Sequence, residues 1–440
     1  MNSFLTVLPK RSYLSLTVSM MTCLILLINV SFKIITVHGM IFTASSLLCP
    51  LVATLYLMVL KECNLIQQRH ILNQSLLALY LFSIGIYLLV NLPAAENIYE
   101  NPAYQIVFED IPKKFFAATL AFGLSFYLPH LLCCAKNSEM LVSPKKRLVL
   151  ALFGGFAFFS IDFVLLFLDP YFENFNRIYV DSLMVSAGIL LLVGIVYLSY
   201  HLLINPVRAK RKIPASPAYL SIPLYHYLVS FSVTIMLICL ACEYRLIAFT
   251  EVTTIGASAI FFPFTLIAST LIGELYGYRA NLRLAIVLIM AELSFDFLLM
   301  ATVALPAPDF FNINPFYSVI LPRRIPAGTL ALFVTFVSNA MLLENLKFTS
   351  LGLNRWTRIL IANIFATSLL CLVNYSILYT GVYPYDQIFN LVLNSWIYKM
   401  TASLLSLPLV LWLFNLCKDR KYSVPQDEKS YLVNLGRKTR

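Results

Sequence analysis

Charged residues are scarce in this sequence: Asp, Glu, Lys and Arg make up 12% of its 440 residues, whereas hydrophobic residues make up 60%. A soluble globular domain carries about 25% charged residues. The shortage excludes an ordinary soluble protein and predicts that the chain lies in a lipid bilayer. The net charge of +11 does not indicate a nucleic-acid partner, because Lys and Arg accumulate in the cytoplasmic loops of membrane proteins.

The sequence also lacks the motifs of several enzyme classes. It has no His-Glu-x-x-His zinc motif, no Gly-x-Ser-x-Gly nucleophile motif and no Walker lysine motif, which the corresponding hydrolases and nucleotide-binding proteins use. Its nine cysteines lie mostly within apolar runs, and neither Cys133-Cys134 nor Cys239-x-x-Cys242 has the second ligand pair of a metal site nearby. We therefore predict that the protein is not an enzyme and has neither a cofactor nor a metal.

Long apolar runs make up most of the sequence. Each is long enough for the ~20 residues with which a helix crosses the hydrocarbon core. The runs lie near residues 13–32, 34–60, 70–92, 115–135, 147–168, 177–204, 223–241, 245–272, 282–305, 325–344, 357–381 and 386–416. The longest runs predict tilt, a kink or an interfacial segment. The predicted fold class is all-α, a polytopic membrane protein of about twelve transmembrane helices.

The two halves of the chain carry the same landmarks in the same order. Leu92-Pro93-Ala94 returns 213 positions later as Leu305-Pro306-Ala307. The same offset pairs Asn101-Pro102-x-Tyr104 with Asn314-Pro315-x-Tyr317, Pro50 with Pro263, and Ser182 with Ser395. Matches that stay in register over such a distance predict a duplication. An even helix number in each half then predicts two parallel six-helix repeats.

These repeats divide the chain into four predicted segments. An N-terminal repeat spans residues 1–204, a basic linker 205–222, a C-terminal repeat 223–417 and a tail 418–440. With the N-terminus inside, most Lys and Arg residues fall in cytoplasmic segments. Because basic residues mark the inner side of a membrane, we expect the linker, the tail and both termini in the cytoplasm.

Few ionisable residues fall inside the predicted spans, and each costs about 2.5–3.5 kcal/mol at the bilayer centre. Glu292 and Asp296 are four residues apart on the ninth helix and so share a face. Asp162 lies in the fifth helix, Asn374 is its counterpart in the eleventh, and Lys399 lies in the twelfth. These residues predict the wall of a polar cavity. A structural ion pair between Lys399 and Glu292 is the alternative.

Several motifs of the C-terminal half follow one another in a characteristic order. Phe262-Pro263 precedes Gly273-Glu274-Leu275-Tyr276-Gly277, and Lys347-x-Thr349-x-x-Gly352-x-x-x-Trp356-x-Arg358 comes later. In the last helix Lys399 stands nine residues before Pro408. Over about residues 255–412, this order and spacing resemble the queuosine-precursor transporter family, also called the VUT family.

The resemblance implies a fold, a location and a function. Members of that family are six-helix bacterial inner-membrane proteins that import 7-deazaguanine precursors of queuosine. This chain therefore resembles two fused units in the cell inner membrane. The small-molecule partner implied is a purine-like base, besides the lipid bilayer. The oligomeric state, the driving ion and the direction of transport stay open.

The candidate substrate site combines residues from the resemblance with the polar residues of the spans. A guanine-like base shows a carbonyl acceptor beside N–H donors, so a lysine, carboxylates or amides and an aromatic wall suit it. The candidates are Glu274, Tyr276, Glu292, Asn339, Asn363, Asn374, Lys399 and Asp162. For Glu274 the alternative is a structural role, fixing the Tyr276-Gly277 turn or pairing with Arg279 or Arg283.

The sequence departs from the family at several of these positions. Thr270, Asn339 and Asn374 stand where the family has aspartates, and Gly273 replaces an asparagine. In the eleventh helix Ala362 falls on the family arginine, although a register one helical turn earlier places Arg358 there. The N-terminal half has Lys61-Glu62-Cys63 in place of Glu-x-Tyr-Gly.

Other functions remain open at this stage. A major-facilitator carrier has the same gross architecture, but its Gly-x-x-x-Asp-Arg-x-Gly-Arg-Arg loop is replaced here by Lys61-Glu62-Cys63-Asn64. A vitamin or nucleobase carrier working with a separate ATPase is a second alternative. A non-transporting membrane protein with an eroded site is a third.

Overall fold

The computed structural model describes residues 11–93, 95, 111–136, 143–168, 175–203, 224–248, 253–308, 314–348, 354–381 and 383–419. Within these residues, twelve helices are long and apolar enough to cross a membrane. The predicted all-α class and the number of spans are therefore confirmed. The predicted linker 205–222 and the tail beyond residue 419 lie outside the described residues.

Six helices belong to each half. In the N-terminal half they are α1 Arg11–Val30, α2 Ser45–Glu62, α3 Leu65–Val90, α4, α5 Pro144–Phe167 and α6 Phe175–Leu203. Helix α4 consists of Ile111–Phe122, a π-helical turn Gly123–Tyr127 and Leu128–Lys136. In the C-terminal half they are α7 Leu224–Ala241, α8 Ser258–Tyr276, α9 Tyr278–Val303, α10 Asn314–Phe348, α11 Arg355–Tyr379 and α12 Tyr385–Asp419.

A short antiparallel hairpin separates the first two helices of each half. Strand β1 Ile34–Val37 pairs with β2 Met40–Thr43, and β3 Leu246–Ala248 pairs with β4 Thr254–Gly256. The turn between β1 and β2 is His38-Gly39, with φ values of 49° and 82°, as a two-residue hairpin turn requires. The hairpins explain the excess length of the apolar runs 34–60 and 245–272, because each run begins as strand and continues as helix.

A buried basic residue before each hairpin strand reaches the end of a helix in the other half. Lys33 Nζ donates to the carbonyl oxygens of Thr302 and Leu305, the latter at 3.2 Å, where α9 ends. Arg245 donates to the carbonyl oxygens of Val90 and Leu92 at 2.6 and 2.7 Å, where α3 ends. The last carbonyls of a helix have no partner within it. Both cations therefore join the halves, whereas the sequence indicated only loop charges on the outer side.

Each hairpin is also joined to the last helix of its own half. The backbone N–H of Thr43 donates to Ser182 Oγ at 3.0 Å, and that of Gly256 donates to Ser395 Oγ at 3.4 Å. Ser182 and Ser395 are a pair in the predicted duplication. The matching contacts and the matching order of elements support the duplication, which stays a prediction.

Candidate functional site

A cavity lies within the C-terminal half. Its polar wall is formed by Glu243, Ser258, Glu292, Asn374 and Lys399. All the residues that line it lie between positions 236 and 399, so one half encloses it, whereas the predicted wall also included Asp162 of the N-terminal half. The cavity has room for about three water molecules. A larger solute enters only if the surrounding helices move apart.

Lys399 of α12 places an ammonium group on the cavity wall. The side chain is 2% exposed, and Nζ donates to the Tyr375 hydroxyl at 3.5 Å and to Cys371 Sγ at 3.6 Å. It also lies 5.3 Å from the ring centroid of Phe262 and 5.0 Å from that of Tyr375, an arrangement that stabilises a cation. Among the described residues Lys399 forms no ion pair with Glu292. The contacts therefore favour the cavity-wall prediction over the structural pair.

Glu292 of α9 contributes a carboxylate to the same wall. The side chain is fully buried, and neither Oε atom has a hydrogen-bond partner among the described residues. Gly328 of α10 lies directly opposite, and a Cβ atom at that position would collide with Glu292 Oε1. Glycine at position 328 therefore leaves the room that this carboxylate occupies.

Glu243 is a cavity residue that the sequence analysis missed. It lies in the turn between α7 and β3, is 5% exposed, and accepts a hydrogen bond of 2.6 Å from Asn374 Nδ2. Burial raises the pKa of Glu243 to about 7, against the opposing effects of the Asn374 hydrogen bond and the Arg324 charge. Because Glu243 falls between two apolar runs, a search confined to the spans passed over it. The available clue was a single acid between two runs.

Asp296 belongs to a buried ion pair next to the cavity. Arg324 of α10 donates to Asp296 Oδ1, and the two side chains are 3% and 0% exposed. Arg324 Nη1 also donates to the carbonyl oxygen of Leu240 at 3.3 Å. The Asp296 charge is thus balanced by Arg324, whereas Glu292 one helical turn earlier has no such partner.

Asn363 and Asn339 belong to a neutral network away from the cavity wall. Thr270 Oγ1 donates to Asn363 Oδ1 at 3.2 Å, and Asn339 Nδ2 donates to Ser269 Oγ at 3.3 Å. Thr270 and Asn339 are two of the three positions where the family resemblance expects aspartate. Both form hydrogen bonds between amides and hydroxyls at neighbouring positions of α8, whereas the third position, Asn374, lies on the cavity wall.

Glu274 and Tyr276 lie at the far end of α8 and do not line the cavity. Glu274 is 5% exposed, and both of its Oε atoms accept hydrogen bonds from Arg358 Nη2 at 3.0 Å. Arg355 Nε lies 3.5 Å from Glu274 Oε2. These ion pairs are with α11, whereas the sequence predicted Arg279 or Arg283. The geometry favours the structural alternative for Glu274.

Asp162 lies away from the cavity of the C-terminal half. It is fully buried in α5 of the N-terminal half, and neither Oδ atom has a hydrogen-bond partner among the described residues. It does not line the cavity of the C-terminal half. The sequence selected Asp162 because it is a carboxylate in a span, but span position alone does not show which half holds the cavity.

Of the eight predicted site residues, the structure brings Glu292, Asn374 and Lys399 together at the cavity, with Glu243 added. Asn339 and Asn363 lie in the neutral network, Glu274 and Tyr276 at the end of α8, and Asp162 in the other half. The three residues at the cavity share one property: each is a polar residue within a C-terminal span.

Comparison with known proteins gives a match to the C-terminal half, the half that encloses the cavity. Residues 256–413 match the family model described as "Putative vitamin uptake transporter". No curated protein and no solved structure matches the chain. The matched segment includes every polar residue of the cavity wall except Glu243. Over residues 256–413 the chain is thus similar to the vitamin uptake transporter family, the VUT family that its motifs indicated.

Proposed function

We propose that the protein is a membrane transporter that takes up a small planar heterocycle of the 7-deazaguanine type, using the cavity of the C-terminal half. The observation that carries the proposal is the convergence of Glu243, Glu292, Asn374 and Lys399 on one cavity inside a membrane-spanning bundle. Polar groups within a membrane are costly and mark substrate paths. The similarity to a vitamin uptake family supports transport as the general function.

The groups on the wall complement the edge of a guanine-like base. Lys399 can donate to the ring carbonyl, and the carboxylate of Glu243 can accept from the neighbouring N–H groups. Phe262 and Tyr375, whose faces already lie beside Lys399, provide aromatic surface for the ring plane. An analogue without the N–H donors leaves a buried carboxylate unpaired, which is a strong basis for rejection.

The other end of the bundle is held closed by ion pairs. Glu274 of α8 binds Arg358 and Arg355 of α11, and Lys347 of α10 donates to the Gly273 carbonyl oxygen at 2.9 Å. These contacts join the ends of three helices on the side that we assign to the cytoplasm. Breaking them would open a path from the cavity, as alternating access requires.

An uptake assay tests the proposal. The full-length protein is expressed in a bacterial host whose own carrier for deazaguanines is deleted, and accumulation of a radiolabelled 7-deazaguanine base is followed. We expect the labelled base to accumulate above the empty-vector level. Unlabelled 7-deazaguanine should suppress this accumulation. An analogue lacking the exocyclic amino group should suppress it poorly. If vitamins of other chemical classes compete and deazaguanines do not, the substrate assignment is wrong while transport stands. Accumulation at the empty-vector level for every labelled compound contradicts transport.

A further inference from the structure

The carboxyl group of Glu292 occupies an environment that does not suit a negative charge. It is fully buried in the middle of the α9 span and has no hydrogen-bond partner among the described residues. A buried, ionised carboxylate without a partner is among the costliest arrangements in a protein, and binding a proton removes the charge.

Charged groups approach Glu292 from its own helix and from two neighbouring elements. Asp296 on α9 is balanced by Arg324 of α10, which binds its carboxylate. Glu243, in the turn after α7, adds a second carboxylate. The charges of Asp296 and Arg324 cancel, so the carboxylate of Glu243 leaves a further negative charge near Glu292.

The remaining elements around α9 supply one cation. Lys399 of α12 lies on the same cavity wall, and Cys239 of α7 adds a thiol. Helices α1 and α8 also pack against α9, and they carry no Asp, Glu, His, Lys or Arg within residues 12–30 and 258–273. They therefore add no charge at the depth of Glu292.

The charges on the cavity wall do not balance. Among the residues that line the cavity, Glu243 and Glu292 provide two carboxylates and Lys399 provides one ammonium group. One added proton makes the wall neutral. A 7-deazaguanine base is itself uncharged, so its binding leaves that balance unaltered.

We infer that Glu292 is a proton-binding site that couples solute movement to a proton gradient, one proton per solute. The inference rests on the proposed function. A loaded cavity closes only when Glu292 is protonated, since closure otherwise buries an unbalanced charge. A bound base holds Lys399 through its carbonyl group. Once the cavity opens on the other side, water solvates Glu292 and Lys399, and the base and the proton leave.

Three matched proteins test the inference: the wild type, Glu292→Gln and Asp162→Asn. Gln has the size of a protonated Glu but binds no proton. Asp162 is an equally buried, partnerless carboxylate in the other half, so its variant controls for removing a buried acid. Each full-length protein is purified and reconstituted into vesicles, and labelled 7-deazaguanine is measured in two modes. One mode is exchange without a gradient, and the other is accumulation driven by an acidic exterior.

We expect Glu292→Gln to retain exchange and to lose driven accumulation. One pH unit sustains about tenfold accumulation with one proton per solute, and the variant should show none. Asp162→Asn should behave as the wild type in both modes. Driven accumulation by Glu292→Gln at the wild-type level overturns the coupling role, as does loss of exchange, which would make Glu292 a solute ligand.

A substrate-free measurement separates this inference from the proposed function. The infrared C=O absorption of protonated carboxyl groups is recorded on the purified proteins as the pH is raised. Besides the band of Glu243, we expect a titrating carboxyl band that is absent from Glu292→Gln and present in Asp162→Asn. If no band is lost in Glu292→Gln, the residue does not bind the proton. If the band behaves as expected but the wild type moves no solute, the proton site stands and the proposed transport fails.

Discussion

The two halves of the molecule share a scaffold and differ at their centres. Both have the order helix, hairpin and five further helices, and in both a buried cation joins the hairpin to the other half. The C-terminal half then encloses a polar cavity. Asp162 and its counterpart Asn374 are 212 positions apart, and the same spacing places Phe158 and Phe159, both fully buried, at the positions of Leu370 and Cys371.

The aromatic residues of the N-terminal half pack closely against one another. The ring centroids of Phe158 and Phe126 are 5.5 Å apart, and those of Phe159 and Phe163 are 5.7 Å apart. The positions paired with Glu292 and Lys399 are Leu79 and Ser186 by the offset of 213. The N-terminal half thus forms the same elements without these charges. The charged residues of the cavity are therefore not needed to build the scaffold, which argues that they serve a solute.

The largest effect is expected for Lys399→Met. The variant removes the only ammonium group among the residues that line the cavity, and it leaves two carboxylates without a counter-charge. A charged hydrogen bond contributes about 1.5–3 kcal/mol and the unbalanced charge adds to that loss, so uptake of labelled base should fall about 100-fold. Initial uptake rates are measured per amount of protein in the membrane.

The control for this change is Ser186→Ala, at the paired position in the N-terminal half. Uptake by this variant should match the wild type. Equal losses in both variants would show that the two centres do not differ in function. Loss of membrane-inserted Lys399→Met protein would make the lysine structural.

A smaller effect is expected for Gly328→Ala. The added Cβ would collide with Glu292 Oε1 and push the carboxylate into the cavity, where it takes space from the solute. Because the Glu292 side chain can shift, we expect the helix to stay intact and the affinity for the solute to fall about tenfold, or about 1.4 kcal/mol. Competition binding on purified protein gives the affinity. Gly188→Ala in α6, where a Cβ meets no atom within 4 Å, should leave the affinity unchanged; a similar fall there would point to a general effect of helix stiffness.

The shared scaffold predicts equal effects from its two hairpin cations. Lys33→Met and Arg245→Met each leave buried helix-end carbonyls without their donors, which costs about 1–3 kcal/mol. Both variants should lower the melting temperature in detergent by a similar amount. Lys61→Met is the control, since an exposed ion pair such as Lys61 with Glu62 contributes little. A loss for only one hairpin would show that the two halves are stabilised differently.

The pH dependence of stability should reveal Glu243. Its pKa in the folded protein is raised to about 7 from 4.5, so the folded state holds the proton more tightly than the unfolded chain. The contribution is present below the unfolded pKa and is lost as the pH rises towards about 7, with a slope no steeper than about 1.4 kcal/mol per pH unit. Melting temperature recorded from pH 4.5 to 7.5 should fall in the wild type and fall less in Glu243→Gln. Identical profiles would contradict the raised pKa.

The spans could be predicted from the sequence because hydropathy alone defines them. The hairpins could not, since Ile34–Val37 and the following helix form one continuous apolar run. The β-branched residues and the His38-Gly39 turn were the available clue. A hydropathy window wide enough to detect a membrane helix averages over a short strand and a two-residue turn, so it detects neither.

The candidate site was predicted in part. Glu292, Asn374 and Lys399 could be found because polar residues within spans are rare and informative. Glu243 could not, because it is buried by the hairpin fold rather than by a helix. Asp162 was selected by the same rule as Glu292. The difference between them comes from packing, since phenylalanines occupy the centre of one half and Gly328 leaves space in the other.

The most direct test of the account is the number of solute molecules that bind to each chain. Equilibrium binding of labelled 7-deazaguanine to purified full-length protein, with protein quantified by amino-acid analysis, measures this number. The account predicts one site per chain, because every residue that lines the polar cavity lies in the C-terminal half. Two equal sites per chain would contradict the contrast between the halves, and no binding would contradict the proposed solute.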